Sequence, residues 1–484
     1  MTATVQKPFF IYAATVAFLL LVITSVLLQQ LWLLILPVAV LFYIWAFEKP
    51  AVLFYLLIAS IPWSVEYQFS DALGTDFPDE PLMWGNALLA FAVLVYNHRN
   101  LRGTRTMHLL ILLLFLQLLW AMLTVITSTF PLLSVKYVLA KSWYLLSFVA
   151  LPLLLPDAKK TVKHTALIFA VSTIVVVALT MIRHAAASFT FATINDSLKP
   201  FFRNHVNYSA LLVCIAPVLA AAIKLTPLHI AKRFLYAALF LSLVALYFSY
   251  ARGAWMALAA GVAAYGLLKK KALVVAFILT IIFTISSVFW LQQNDRYLQY
   301  AGNYNKTIFH TDFAEHIVAT YELNDLSTAE RFYRWVAGVR MVNESWKTGF
   351  GPNTFYANYK PYTVPAFKTW VSANEEHSTV HNYFLLLLIE QGVFGLLLFV
   401  ALLAVAFYTA QKIYHRTSDL FWKTVVAAVA VILVMICTVN FLSDLVETDK
   451  VGSVFYLCLA VLLMGDKKTK KDSSEFAAHV QRIA

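Results

Sequence analysis

Charge is scarce in this chain. Only 13% of its 484 residues are Asp, Glu, Lys or Arg, while 61% are hydrophobic. A water-soluble domain needs more charge than that to cover its surface. Cysteine is nearly absent too. Cys214, Cys437 and Cys458 all fall within apolar runs, which excludes a disulfide framework and a zinc site of spaced cysteines. Repeats and low-complexity segments are missing. So is a basic stripe with interleaved aromatics in a soluble segment, and nucleic acid is therefore not an expected partner despite the net charge of +12.

What the chain does have is apolar runs near twenty residues long, recurring from end to end. Each is long enough to cross a hydrocarbon core of roughly 30 Å as a helix. Backbone polar groups find no water there, so the runs must be helical. The expected class is all-α: a polytopic helical membrane protein with about 14 transmembrane helices. The spans centre on 9–28, 31–47, 50–64, 82–97, 107–127, 135–155, 163–183, 206–224, 232–249, 253–268, 272–291, 382–410, 421–440 and 450–464. The first has no convincing cleavage site and reads as a retained span. The organisation is transmembrane helices over 1–291, a large partly helical external loop over 292–381, further spans over 382–464, and a charged, frayed tail over 465–484.

Loop charges orient this ladder. Arg99, Arg102 and Arg105, then Lys159, Lys160 and Lys163, then Lys224, Lys232 and Arg233 fall in alternate loops. Lys269 to Lys271, Lys412, Arg416 and Lys423, and Lys467, Lys468, Lys470 and Lys471 continue the series. All land on one side, and basic loops mark the cytoplasm. The opposite loops carry Glu66, Asp71, Asp76, Asp79 and Glu80, or Asp444, Glu447 and Asp449. Both termini are thus expected to be cytoplasmic, and 292–381 external. Within that loop Ser327-Thr328-Ala329-Glu330 has the pattern of a capping box. Phe332, Trp335, Val336, Val339, Val342 and Trp346 follow at helical spacing, which predicts an amphipathic helix on the membrane surface or the bundle. Gly349-Phe350-Gly351-Pro352-Asn353 reads as a turn.

The loop closes on His377-Ser378-Thr379-Val380-His381-Asn382, nine residues, Gly392, two residues, Gly395. His381 is the candidate base, because an imidazole suits proton transfer near neutral pH. The competing reading is a histidine that caps a helix or anchors at the interface. His377 lies four residues earlier, a spacing two metal ligands use. No glutamate stands between them and no third ligand is evident, so neither metal nor cofactor is expected. Glu375 and Glu376 read as a group orienting the histidine or as a solvated pair.

Cations complete the picture. Arg203 and Arg252 stand at outer span ends, against the usual charge bias, where an arginine snorkels or serves a function. A guanidinium fork suits phosphate oxygens. Lys136 and Lys141 occupy the outer part of another span, with Lys141 the deeper and so expected to face a polar cavity. Arg183 and His184 end a further span on the same face. Cations beside a base at headgroup level suit a lipid diphosphate, held and stabilised as it leaves while the histidine deprotonates an attacking hydroxyl.

Here the chain begins to resemble a known family. His381-Asn382 with Gly392 and Gly395 is similar to the signature of bacterial O-antigen ligases. Arg331, Trp335, Gly349-Phe350-Gly351-Pro352-Asn353-Thr354-Phe355 and Tyr359 resemble the wider O-antigen ligase and polymerase superfamily. Tyr250-Ala251-Arg252-Gly253 looks like its Ser-Arg-Gly element with alanine in place of serine. Arg203 sits where the family has an earlier external arginine, in a degraded context, Asn204-His205-Val206-Asn207. The resemblance covers roughly 200–440. It implies a metal-independent, inverting glycosyltransferase of the bacterial inner membrane, with its active site facing the periplasm. The donor would be an undecaprenyl-diphosphate-linked glycan gripped by Arg203 and Arg252, with Lys136 and Lys141 nearby. His381 would be the base, supported by Asn382, His377, Glu376, Arg331, Gly392 and Gly395. The implied acceptor is lipid A–core for a ligase, or a second lipid-linked glycan for a polymerase of O-antigen or exopolysaccharide. A flippase for the same lipid-linked glycan is the alternative of a different class, but the absence of repeats and the clustering of polar residues at one face weigh against it.

Overall fold

The computed structural model describes residues 20–25, 27, 49–70, 73–96, 107–300, 326–369, 371–373 and 377–483. The predicted spans 9–28 and 31–47 lie almost wholly outside them, as do Asp71, Arg99, Arg102, Arg105, Glu375 and Glu376. The remaining predicted spans are all helices. They are α1 (Pro50–Ser60), α2 (Asp79–Tyr96), α3 (Leu109–Ile126), α4 (Pro131–Leu154), α5 (Ala158–Ala186), α6 (His205–Leu225) and α7 (His229–Tyr247). After these come α8 (Arg252–Lys269), α9 (Leu273–Gln292), the loop helix α10 (Leu326–Glu344), then α11 (Tyr383–Arg416), α12 (Leu420–Phe441) and α13 (Asp449–Ile483). Eight of the described helices are long and apolar enough to cross a membrane. One short antiparallel hairpin, β1 (Val65–Ser70) and β2 (Leu73–Phe77), pairs Val65 with Phe77 and Tyr67 with Thr75.

Polar residues at the run boundaries start the helices. The Asp157 carboxylate accepts from Lys160 N at 3.1 Å, Asn204 Oδ1 from Val206 N and Asn207 N at 3.0 Å, Asn382 Oδ1 from Leu385 N at 3.0 Å, and Asp419 Oδ1 from Phe421 N at 2.8 Å. Each answers donors that a helix start leaves open. α12 is central and packs against α6, α8, α11 and α13. Its approach to α8 depends on small residues: Ala254, Ala257, Gly261 and Ala264 form one buried face, and a Cβ on Gly261 would stand 2.2 Å from Met435 Cε. Without a hydrophobic drive between helices in lipid, such close backbone packing is the usual adhesive. α9 is the opposite case. Only Leu273 in it is buried, so an almost wholly apolar helix faces outward.

Hydrogen bonds between connections stay within two separate ends of the bundle. At one end Lys159 meets Asp419 (3.3 Å), His415 Nε2 meets Leu268 O (2.9 Å) and Arg416 meets Asp466 (3.0 Å). At the other, Tyr250 OH donates to Phe189 O (2.5 Å), Tyr383 N to Ser443 O (3.0 Å), and Lys450 Nζ to Ser64 O (3.1 Å). The described lysine and arginine clusters sit at the first end and His381 at the second, the alternation the loop charges predict. α13 does not stop at 464. It continues to Ile483, and Asp466 within it is buried, held by Arg416 and Lys470 with its carboxyl pushed well below the usual range by hydrogen bonds from His108 and Lys470.

α11 is broken at Gly392, where φ is +67° and ψ −172°. The long connection enters the break. Phe350 N donates to Ile389 O (3.0 Å), Gly351 N to Glu390 O (2.9 Å) and Trp120 Nε1 to Gln391 O (2.8 Å), while Val393 N donates to Trp346 O (2.8 Å). A Cβ on Gly392 would lie 2.1 Å from Lys347 O. Gly392→Ala therefore costs about 2–4 kcal/mol through positive-φ strain and backbone collision. Gly266→Ala, whose Cβ meets open space, stays within about 0.5 kcal/mol of wild type or gains slightly. Thermal unfolding of the two variants in detergent checks the pair.

Candidate functional site

α10 carries the first part of the site. Its buried face is Leu326, Ala329, Glu330, Tyr333, Arg334, Ala337, Gly338 and Met341, packed on α11, where a Cβ at Gly338 would strike Ile389. The expected face of Phe332, Trp335, Val336, Val339 and Val342 lies to the flanks, and Trp346 is exposed. The reason is Glu330. It is not the reciprocal half of a capping box; its carboxylate pairs with Arg334 (3.0 Å) and accepts from Ser372 Oγ (2.5 Å) and Thr369 Oγ1. A buried ion pair outcompetes an apolar stripe for the interior position because each charge needs the other. The pair thereby ties Thr369 and Ser372 to α10.

His381 has φ +53°, and about 33% of its side chain is accessible, so the ring lines an opening. Nδ1 stands 4.0 Å from Asp444 Oδ1 in the turn between α12 and α13. Burial and the nearby charges of Arg334 and Arg331 lower the imidazole's pKa to about 3, which keeps it neutral. Burial pushes the Asp444 carboxyl up to about 6. Glu447 reinforces that, while a hydrogen bond from Thr379 and the charge of Arg203 oppose it. Arg331 Nε donates to Leu442 O (3.2 Å), two residues before Asp444. Gly253, next to Arg252, packs against the side chain of the same Leu442, 3.4 Å from a Cβ placed there. The charges of Arg334 and Arg331 thus bear on His381 and that of Arg203 on Asp444, while Arg252 is tied to the same turn through its neighbour Gly253.

The other expected site residues fall differently. Asn382 is the buried cap of α11. His377 is exposed and its ring stacks on Tyr356 at 4.1 Å. Glu376 lies outside the described residues. Lys136 is exposed on α4, whereas Lys141 is buried and paired with Glu447 at 2.9 Å. Five residues apart, the two lysines point about 140° away from each other around the helix. Lys141 does face a polar recess, lined also by Gln117, Tyr137, Tyr383, Gln391 and Tyr456. Gly392 and Gly395 leave room at the break: a Cβ on the second would stand 2.5 Å from Gln391 Cβ. Arg183 donates to Lys199 O (2.5 Å), and the His184 ring meets Thr190 O (3.0 Å), so both brace the 187–204 connection.

A family model for O-antigen ligase matches residues 237–400. The matched stretch runs from within α7 to within α11 and supports the resemblance to the O-antigen ligase and polymerase superfamily. Comparison with curated proteins gives no match. Arg252, Arg331, Arg334, His381 and Asn382 lie within the matched stretch; Arg203 and Asp444 lie outside it.

Asp444, Arg334 and Glu390 were missed as site residues, though each left a trace. Glu330 and Arg334 are an acid–base pair at i,i+4. Glu390 is a lone acid in an apolar run, and such a residue in a span needs a reason. Its reason is a nest of backbone donors, Asn353 N, Thr354 N and Phe355 N at 2.8, 2.9 and 3.0 Å. Breaking the other buried acid's partnership is the sharper test. Arg334→Met leaves Glu330 buried and unpaired and lowers stability by about 3–5 kcal/mol, measured as thermal unfolding. A smaller loss than about 1 kcal/mol would mean that the pair is not what holds the 369–372 segment.

Proposed function

We propose that this chain is a glycosyltransferase that moves an undecaprenyl-diphosphate-linked glycan onto an acceptor hydroxyl, as an O-antigen ligase with lipid A–core as acceptor. The reaction takes place at the bundle end opposite the lysine clusters, the periplasmic face of an inner membrane if basic loops mark the cytoplasm. The observation that carries this reading is the His381–Asp444 pair, 4.0 Å apart, with the charges of Arg334 and Arg331 bearing on the histidine and that of Arg203 on the carboxylate, and with His381, Arg331 and Arg334 inside the stretch that matches the O-antigen ligase model.

The chemistry follows from the charges. Arg252 is the first residue of α8, and Ala251 before it makes no side-chain cap, so guanidinium and helix dipole point the same way for an anion. Arg203 and Arg331 add two further forks for diphosphate oxygens. Lys141 is already neutralised by Glu447 and Lys136 points elsewhere, so the arginines carry the donor. Burial, with the charges of Arg334 and Arg331, suppresses the basicity of His381 while the site is empty. Donor diphosphate offsets their charge, and the imidazole then becomes basic enough to take the acceptor proton. Asp444, as carboxylate, closes on Nδ1–H, leaves Nε2 as the proton acceptor, and stabilises the imidazolium. The acceptor oxygen attacks the anomeric carbon, and the bond to the diphosphate breaks with inversion. The arginines hold the leaving charge. No step requires a metal ion.

Reconstituted full-length protein with lipid-linked glycan and two acceptors tests the proposal. Product on lipid A–core supports a ligase; a ladder on the lipid carrier would make it a polymerase, and relocation without a new bond a flippase. His381→Ala loses transfer by about 10²- to 10⁴-fold while remaining folded, and full activity in the folded variant overturns the base assignment. The pH dependence separates the two partners. Asp444 is a carboxylate above about pH 6, so kcat/KM, which reports the free enzyme, declines as pH falls through 6. Asp444→Asn is slower at neutral pH and lacks that acid limb. A limb that survives the substitution assigns the titration to another group.

A further inference from the structure

Lys141 and Glu447 are not at the opening. Lys141 lies ten residues into α4, about 15 Å along its axis, where an ammonium is costly and calls for a functional reason. Its Nζ meets Glu447 Oε2 at 2.9 Å. The rings of Tyr137, Tyr383 and Tyr456 stand 5.2, 5.8 and 5.8 Å from it. Tyr137 OH donates to Glu447 Oε1 (3.3 Å) and accepts from Gln391 Nε2 (3.1 Å). The Gln391 carbonyl in turn is the one held by Trp120 at the break in α11. Stability alone does not explain the pair, because well-packed apolar residues replace buried ion pairs with no loss in many proteins.

Glu447 belongs to the same turn as Asp444. Glu447 N donates to Asp444 O (3.0 Å), and Asn440 Oδ1 accepts from Val446 N (3.0 Å). One end of this turn is therefore clamped inside the bundle by Lys141, and the other presents Asp444 to His381. The charged and titratable groups facing Asp444 are His381, Arg203 and Glu447. Those facing Glu447 are Lys141, Tyr137, Tyr383, Tyr456 and Glu390.

We propose that Glu447, clamped by Lys141, is a positioning residue for glycan transfer: it sets the 442–448 turn so that Asp444 meets His381, and links that turn through Tyr137 and Gln391 to the break in α11. This rests on His381 and Asp444 acting as the base pair. Neither Lys141 nor Glu447 touches substrate. They act on the rate through the placement and charge of Asp444.

The test is steady-state transfer by reconstituted full-length protein, with wild type and His381→Ala in parallel. Glu447→Gln lowers kcat by about 10- to 100-fold, the scale of an ångström of misplacement, with donor KM within about twofold of wild type because the arginines are untouched. The acid limb of kcat/KM moves below pH 6, since the negative charge that raises Asp444 is gone and Lys141 is left unneutralised. The double variant Lys141→Met, Glu447→Met replaces the pair by apolar side chains and keeps its thermal midpoint near wild type. It too is slow, with a lowered limb. Wild-type kcat and an unmoved limb in Glu447→Gln overturn the proposal, as does a fall in rate that equals the loss of folded protein with the limb still near 6. In both cases an inactive His381→Ala leaves the base assignment standing, whereas an active one removes the reading beneath it.

Discussion

A helix interrupted within a membrane frees carbonyls that lipid cannot answer, and every other part of this site follows from how the break in α11 is answered. Ile389, Glu390 and Gln391 give up their carbonyls to Phe350 N, Gly351 N and Trp120 Nε1. The Glu390 side chain adds a carboxylate for three more backbone N–H groups. Irregular backbone is tolerated at such depth only where protein satisfies it. The long connection between α9 and α11 is thereby sewn into the bundle at its middle, while Asn382 fixes its end as the cap of α11. Between those two points Glu330 binds Thr369 and Ser372 to α10. The histidine stands directly before Asn382.

Electrostatics then sets what that histidine does. Burial and the charges of Arg334 and Arg331 disfavour imidazolium, so in the proposed reaction an anion held at Arg331 makes His381 the better base. Asp444 lies on the other side of this balance. It is buried enough to resist ionisation until about pH 6, yet it faces the His381 ring. Its charge is set by burial, by Glu447 in the same turn, and by Thr379 and Arg203, both far from it in sequence.

That distance explains what could be read from the chain and what could not. Hydropathy and its interruptions locate α3 to α9 and α12 to within a few residues at each end, because membrane helices follow length and polarity, whereas α11 and α13 run on past the predicted ends to Arg416 and Ile483. The loop charges gave the two ends. The His381-to-Gly395 string is legible as a unit, but its members divide: one histidine beside Asp444, one asparagine as a cap, and two glycines where a Cβ would collide with neighbours. Spacing does not reveal such a division. Lys136 and Lys141 are grouped by the sequence as donor contacts, with Lys141 the deeper, and the helix turns Lys136 outward. Asp444 was visible only as loop charge. Arg334 was passed over because apolar periodicity hides a polar pair that takes the inner face.

The cations at the site end make a final argument about orientation and use. A positive charge at the face opposite the lysine clusters persists only if something there holds it. Lys450 is held by Asp449 and the Ser64 carbonyl, Lys141 by Glu447, Arg334 by Glu330, and Arg331 by the Leu442 carbonyl and Ser327. Each has an architectural reason to be there. Arg203 is exposed, one residue before the cap of α6, and Arg252 opens α8 without a capping side chain. Neither position needs a guanidinium for helix formation: Asn204 already starts one helix, and almost any residue serves at the start of the other. In the proposed reaction it is their forks that serve the donor diphosphate.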